Sequence, residues 1–174
     1  MFKKFKGLSL FLVIALFVVG LAGCSSKDNS KGNDNGGTKV SSSSSSKKST
    51  TNFYKVGDSV KVGDVVYTLV SVEKTDERNQ FEENQPANVL KVTYHVKNES
   101  DEDLSVGMDL KVYGPNNTKL ETYPIDSTTL DSIAPGKEAD VISGFGTNEL
   151  GDFELQFAPL VSMEKAAKFK VNVQ

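Results

Sequence analysis

The chain has 174 residues, one cysteine, one histidine, no tryptophan and a formal net charge of −3. One cysteine and one histidine exclude a disulfide framework and the usual zinc sites. From Phe53 onward, 12 Lys and Arg stand against 21 Asp and Glu, a formal charge near −9, which argues against nucleic acid as a partner.

The N-terminus carries Lys3, Lys4 and Lys6, then an apolar run from Leu8 to Ala22 broken only by Ser9 and Gly20. A basic start, an apolar stretch of about 7–15 residues and small residues at the end form the layout of an export signal. The run is short for a permanent span, which needs roughly 20 apolar residues. It closes on Leu21-Ala22-Gly23-Cys24. These residues resemble the lipobox of bacterial lipoproteins. The resemblance implies diacylglyceryl attachment to the Cys24 thiol and cleavage before it, so residues 1–23 read as a lipoprotein signal peptide. Two acyl chains make a durable anchor, since stable attachment takes more than one.

From Cys24 to Asn52 the composition collapses to Ser, Lys, Gly, Asn, Asp and Thr, with an unbroken serine run from Ser41 to Ser46 and Val40 as the only aliphatic side chain. Such a stretch cannot bury enough surface to offset chain entropy. It reads as a disordered linker, residues 24–52, acting as a spacer.

Residues 53–174 read as one folded domain, long enough for a single core without disulfides. Period-two alternation dominates and predicts strands. These are Val60–Val62, Val65–Val72 (apolar on both faces, as in a central strand), Leu90–Val96, Met108–Val112, Lys119–Tyr123, Ala139–Phe145, Phe153–Phe157 and Phe169–Val173. Pro115-Asn116-Asn117 predicts a turn, and Ala134-Pro135-Gly136-Lys137 a type II turn. Ser162 to Lys168 reads as a helical turn capped by Ser162. The sum is an all-β protein, a β-sandwich of about 7–9 strands.

Several stretches carry a family resemblance in order: Val65–Val72, Val92–Asn98 (VTYHVKN), Leu110–Gly114 with its Asn-rich turn, Ile133-Ala134-Pro135-Gly136 before a strand, and Phe153–Phe157. Together they resemble the small immunoglobulin-like domain found in many bacterial lipoproteins, mainly Gram-positive ones. That family is of unknown function and is grouped by fold with secreted immunoprotective antigens of mycobacteria. The resemblance implies an immunoglobulin-like β-sandwich outside the membrane and supplies no catalytic residues.

Chemistry is sparse. His95 falls on a polar strand face with Lys91, Thr93 and Lys97. Ser162-Met163-Glu164-Lys165 matches S-x-x-K, but no S-D-N or K-T-G follows it, and no phosphate loop or dinucleotide motif implies a cofactor. The acidic run from Glu99 to Asp103 lacks calcium-loop spacing and reads as a solvated hairpin tip, with calcium binding as an alternative. The long polar loop from Thr75 to Asn88 holds one aromatic, Phe81, which either anchors a partner or folds back onto the core. The expected function is a non-catalytic binding module, held at the cell membrane through Cys24 and meeting an envelope protein or polymer. The alternative is a solute- or metal-binding lipoprotein, which requires a concave apolar pocket with convergent polar groups or clustered carboxylates.

Overall fold

The computed structural model describes residues 35–40 and 53–174. The expected signal segment 1–23, Cys24 and the serine run lie outside the described residues. The described residues form ten strands in chain order: β1 (Thr38–Val40), β2 (Ser59–Val62), β3 (Val65–Thr75), β4 (Asn88–Asn98), β5 (Leu104–Val106), β6 (Leu110–Tyr113), β7 (Asp131–Ile133), β8 (Glu138–Thr147), β9 (Gly151–Phe157) and β10 (Ala167–Val173). A five-stranded antiparallel sheet runs β1-β2-β3-β4-β8, a three-stranded sheet β10-β9-β6, and β5 pairs with β7. Among the described residues there is no helix. The architecture is an all-β immunoglobulin-like sandwich.

Alternation decides which side chains meet between the sheets. Tyr67, Leu69, Val92, Tyr94 and Val96 from the large sheet face Phe153, Leu155, Phe157 and Phe169 from the small one, all fully buried. Phe157 is the centre of this core. Its ring lies 5.4 Å from Tyr67, 5.0 Å from Tyr94 edge-on and 5.3 Å from Phe169 in a near-perpendicular pair, arrangements that match aromatic quadrupoles. The strand β3 is central, as its two apolar faces implied. Its register shifts between Leu69 and Ser71, so Val70 is an extra, exposed residue and the strand bends there.

The Pro-Gly turn forms as expected: Gly136 takes φ +71° and the Lys137 N–H donates to the Ala134 carbonyl at 3.1 Å. Four expectations differ. First, residues 35–40 of the expected linker form an ordered edge. β1 pairs Thr38 with Lys61 and Val40 with Ser59, yet all three of its side chains are exposed. The pairing is made by main chain, so composition carried no sign of it. Second, Lys119–Tyr123 is not a ladder strand. It makes only isolated bridges, Lys119 to Tyr113 and Thr122 to Phe145, because the turn at Asn117 (φ +61°) sends it across from β6 to β8. Third, Met108 is not a strand residue; the run turns at Gly107 (φ +93°), and β6 starts at Leu110. Fourth, Ser162 caps no helix. Its Oγ accepts from the Glu164 N–H at 2.9 Å in an open loop, and β10 begins at Ala167.

The outer face of β8 is covered by the segment 121–129. Gly144 makes this possible, since a Cβ there would stand 2.3 Å from the Tyr123 carbonyl oxygen; Gly146 likewise admits the β3–β4 loop, where a Cβ would stand 2.9 Å from the Pro86 ring. Tyr123, Ile125, Val89 and Ile142 pack there as a second small core.

Replacing Phe157 removes contacts with both sheets at once. Phe157→Ala is expected to cost about 3–5 kcal/mol, read as a lowered urea midpoint; a loss of about 1 kcal/mol or less would place the core's centre elsewhere.

Candidate functional site

Beside β6 and the edge of β8 lies a cavity of about 400 Å³. Leu110 from β6, Phe145 from β8, Leu120, Tyr123, Met108 and Leu130 make it predominantly apolar. Met108 is 66% exposed and Leu130 is 69% exposed, an unusual concentration of apolar surface beside a concave site. Lys111, Lys119 and Glu121 add two cations and one carboxylate.

Ser143 also lines this cavity and belongs to a buried polar group behind it. The Tyr94 hydroxyl donates to Asp109 Oδ1 at 2.6 Å, and the Gly107 N–H donates to the same oxygen at 3.0 Å. Asp109 is only 4% exposed. Its alternation with Met108 is therefore inverted from expectation: the turn at Gly107 carries the apolar side chain out and the carboxyl in. Three buried polar atoms have no hydrogen-bond partner among the described residues: Tyr67 Oη, Asp109 Oδ2 and Ser143 Oγ. Burial and the neighbouring Asp109 carboxylate push both Tyr67 and Tyr94 far above the ordinary tyrosine range. Burial likewise raises the Asp109 carboxyl, against the opposing pull of its donors Tyr94 and Gly107. Unpaired polar atoms at this depth are costly.

The long loop after β3 is a built structure. The Asn79 N–H donates to the Tyr123 hydroxyl at 2.8 Å, which itself donates to Gln85 Oε1 at 2.7 Å. The Gln85 amide donates back to the Asn79 and Glu82 carbonyls, each at 2.8 Å. Phe81, at the crest, is 86% exposed, so it does not fold back onto the core. Tyr123 thus contributes to the cavity wall and holds the loop that carries Phe81.

The other sequence candidates separate from this site. His95 lies on the outer face of β4, with Nδ1 2.8 Å from Asp140 and Nε2 3.7 Å from Glu138. The acidic run forms the β4–β5 turn around Asn98, whose buried side chain donates to the Glu102 and Ile133 carbonyls and accepts from Ser100. Glu99 pairs with Lys97 at 2.8 Å and Lys61 at 3.0 Å, and these cations lower its pKa. Among the described residues no group of three or more His, Cys, Asp and Glu is gathered to hold a metal. Cys24 lies outside the described residues. Sequence reasoning missed Asp109, Ser143 and the cavity. The available signals were the Gly144/Gly146 pair, which marks close approach to a strand face, and Tyr94, an inward phenol in need of a partner.

The family model described as "Domain of unknown function (DUF4352)" matches residues 54–167. A comparison with curated proteins finds no match. Solved structures share the fold. A protein of Bacillus subtilis described as a candidate lipoprotein, ycdA, aligns with TM-score 0.55 at 22% identity, over 64% of this chain and 38% of that one. The B. subtilis yjhA protein aligns with TM-score 0.54 at 13% identity, over 70% of this chain and 100% of that one. The secreted Mycobacterium tuberculosis protein MPT63 gives 0.54 at 8% identity, over 68% and 96%.

A carboxyl whose pKa is raised by folding holds a proton that the unfolded chain has already released. Its contribution to stability is complete below the unfolded value of about 3.9 and is lost as pH rises through the folded value. Asp109→Asn keeps an acceptor for Tyr94 and removes that titration. It is expected to flatten the decline in urea midpoint as pH rises above the unfolded value of about 3.9. Parallel profiles for the two proteins would show that Asp109 does not titrate this way.

Proposed function

The chain belongs to the DUF4352 family, and from that premise we propose that it is a lipid-anchored, non-catalytic binding module on the extracytoplasmic side of the cell membrane. Cys24 carries the anchor, and the cavity beside β6 and β8 takes the ligand. The observation that carries this reading is the cavity itself. It is concave, mostly apolar and of the size that small-molecule sites occupy, about 300–1,000 Å³, with Ser143 at the point where a buried polar group meets it. This favours the solute-binding form of the reading over carboxylate-held calcium. Two lysines against one glutamate, in a domain that is otherwise acidic, suit a ligand with an apolar body and an acidic group. Phe81, held out beyond Tyr123, extends the same end of the domain as a contact for an envelope protein or polymer.

The test has two parts. Cys24→Ser is expected to leave the membrane fraction or to accumulate as uncleaved precursor; retention in membranes at the mature mass overturns the anchor. Decanoate is expected to raise the melting midpoint, reaching about 2.7 kcal/mol of stabilisation at a hundredfold excess over Kd. Lys111→Glu with Lys119→Glu reduces that shift. No shift with decanoate or decanol overturns the cavity as the ligand site, whereas equal shifts overturn the role of the lysines.

A further inference from the structure

The loop between β9 and β10 exposes three apolar side chains in four residues. Leu160 is 54% exposed, Val161 93% and Met163 completely so. Such a group at a loop tip is unusual surface, and among the described residues nothing covers it.

The N-terminal segment is held beside it. Asn35 is clasped to the root of this loop. Its side-chain amide donates to the Lys168 carbonyl at 2.9 Å and its Oδ1 accepts from the Lys168 N–H at 2.6 Å, the two bonds a neighbouring strand would make. The Gly36 N–H donates to the Ala166 carbonyl at 3.1 Å. A Cβ on Gly36 would stand 1.8 Å from the Lys165 carbonyl oxygen, so only glycine fits. The clasp continues into β1 on the edge of β2, with Lys39 paired to Asp58. Only residues 25–34 then separate Asn35 from Cys24. Ten residues span at most about 35 Å, whereas the 28 residues between Cys24 and Phe53 would span about 95 Å.

We propose that the Leu160-Val161-Met163 tip is a second membrane contact, dipping into the bilayer interface while the Asn35–Gly36 clasp keeps this end of the domain close to the anchor. The proposal rests on the lipid anchor at Cys24. The occupant is a lipid surface, since the chain leads from the root of the loop to an acylated residue within reach. Glu164 follows the tip, with its side chain against Gly63; Lys165 and Asp64 are both exposed nearby, so the charges around the tip have no positive excess. The contact is therefore apolar rather than electrostatic, and it is insensitive to salt.

The absence of tryptophan makes the test direct. Val161→Trp in the full, lipidated chain is incorporated into phosphatidylcholine vesicles carrying brominated acyl chains, and flotation is measured first. The expected result is flotation with blue-shifted emission, quenched about twofold or more by the bromines and unchanged by salt. Adding Gly36→Val, which blocks the clasp without entering the sandwich core, abolishes most of the quenching while flotation persists. Phe81→Trp, on a different loop, floats without quenching. Flotation with an unquenched Trp at 161 overturns the tip contact alone. Equal quenching at 81 and 161 also overturns it, as general adsorption of the domain. Quenching that survives Gly36→Val overturns the role of the clasp. Failure to float overturns the anchor, and this proposal with it.

Discussion

The interaction on which the sandwich depends is the contact of the Phe157 ring with Tyr67 and Tyr94 across the sheets and with Phe169 on its own sheet. Two antiparallel sheets have no covalent reason to stay together here, since no disulfide crosses between them. Their separation and alignment follow from what fills the gap. Phe157 ends β9 and sits opposite both Leu110 and Ala167 in the small sheet. It therefore fixes where β6 begins relative to the large sheet, and with that where the cavity opens.

The same ring contacts explain why a carboxyl is tolerated in the interior. Tyr94 packs its ring against Phe157 and turns its hydroxyl toward Asp109, so one side chain serves the core and the polar group behind the cavity. Asp109 in turn ties the Gly107 turn to the sandwich through the Gly107 N–H and through its own carbonyl, which accepts from Ala158 at 3.1 Å. The apolar Met108 is turned out by this arrangement. An inward carboxyl and an outward hydrophobe are two sides of one local geometry, and both break the pattern that governs the rest of the chain.

The long strands were legible because their side chains alternate and their buried partners are large. β3, β4, β8, β9 and β10 were all visible in this way, and Val65–Val72 even announced its central place. The three-residue strands β1, β5 and β7 are too short to display a period. Lys119–Tyr123 alternates convincingly, yet Asn117 redirects it, and one positive-φ residue has no weight in a count of apolar positions. The site was less legible than the fold. Phe81 stood out by contrast with its loop, while Ser143 and Asp109 looked like ordinary polar residues at strand positions. Their burial depends on partners far away in sequence, which no local pattern reports.

The sheet edges have a consequence for crowding. The free side of β8 is met by main-chain bonds from Tyr123, Thr129 and Glu121, that of β10 by Tyr54, and that of β6 by Leu120. Of the borders of the two larger sheets the one left is β1, three residues long and carrying Lys39; β5 and β7, also three residues each, form a separate pair. Unpaired strand edges are what allow β proteins to zip together laterally, and short or charged borders blunt that tendency. Copies of this domain brought close together are therefore disfavoured from joining their ladders through these borders into a continuous sheet.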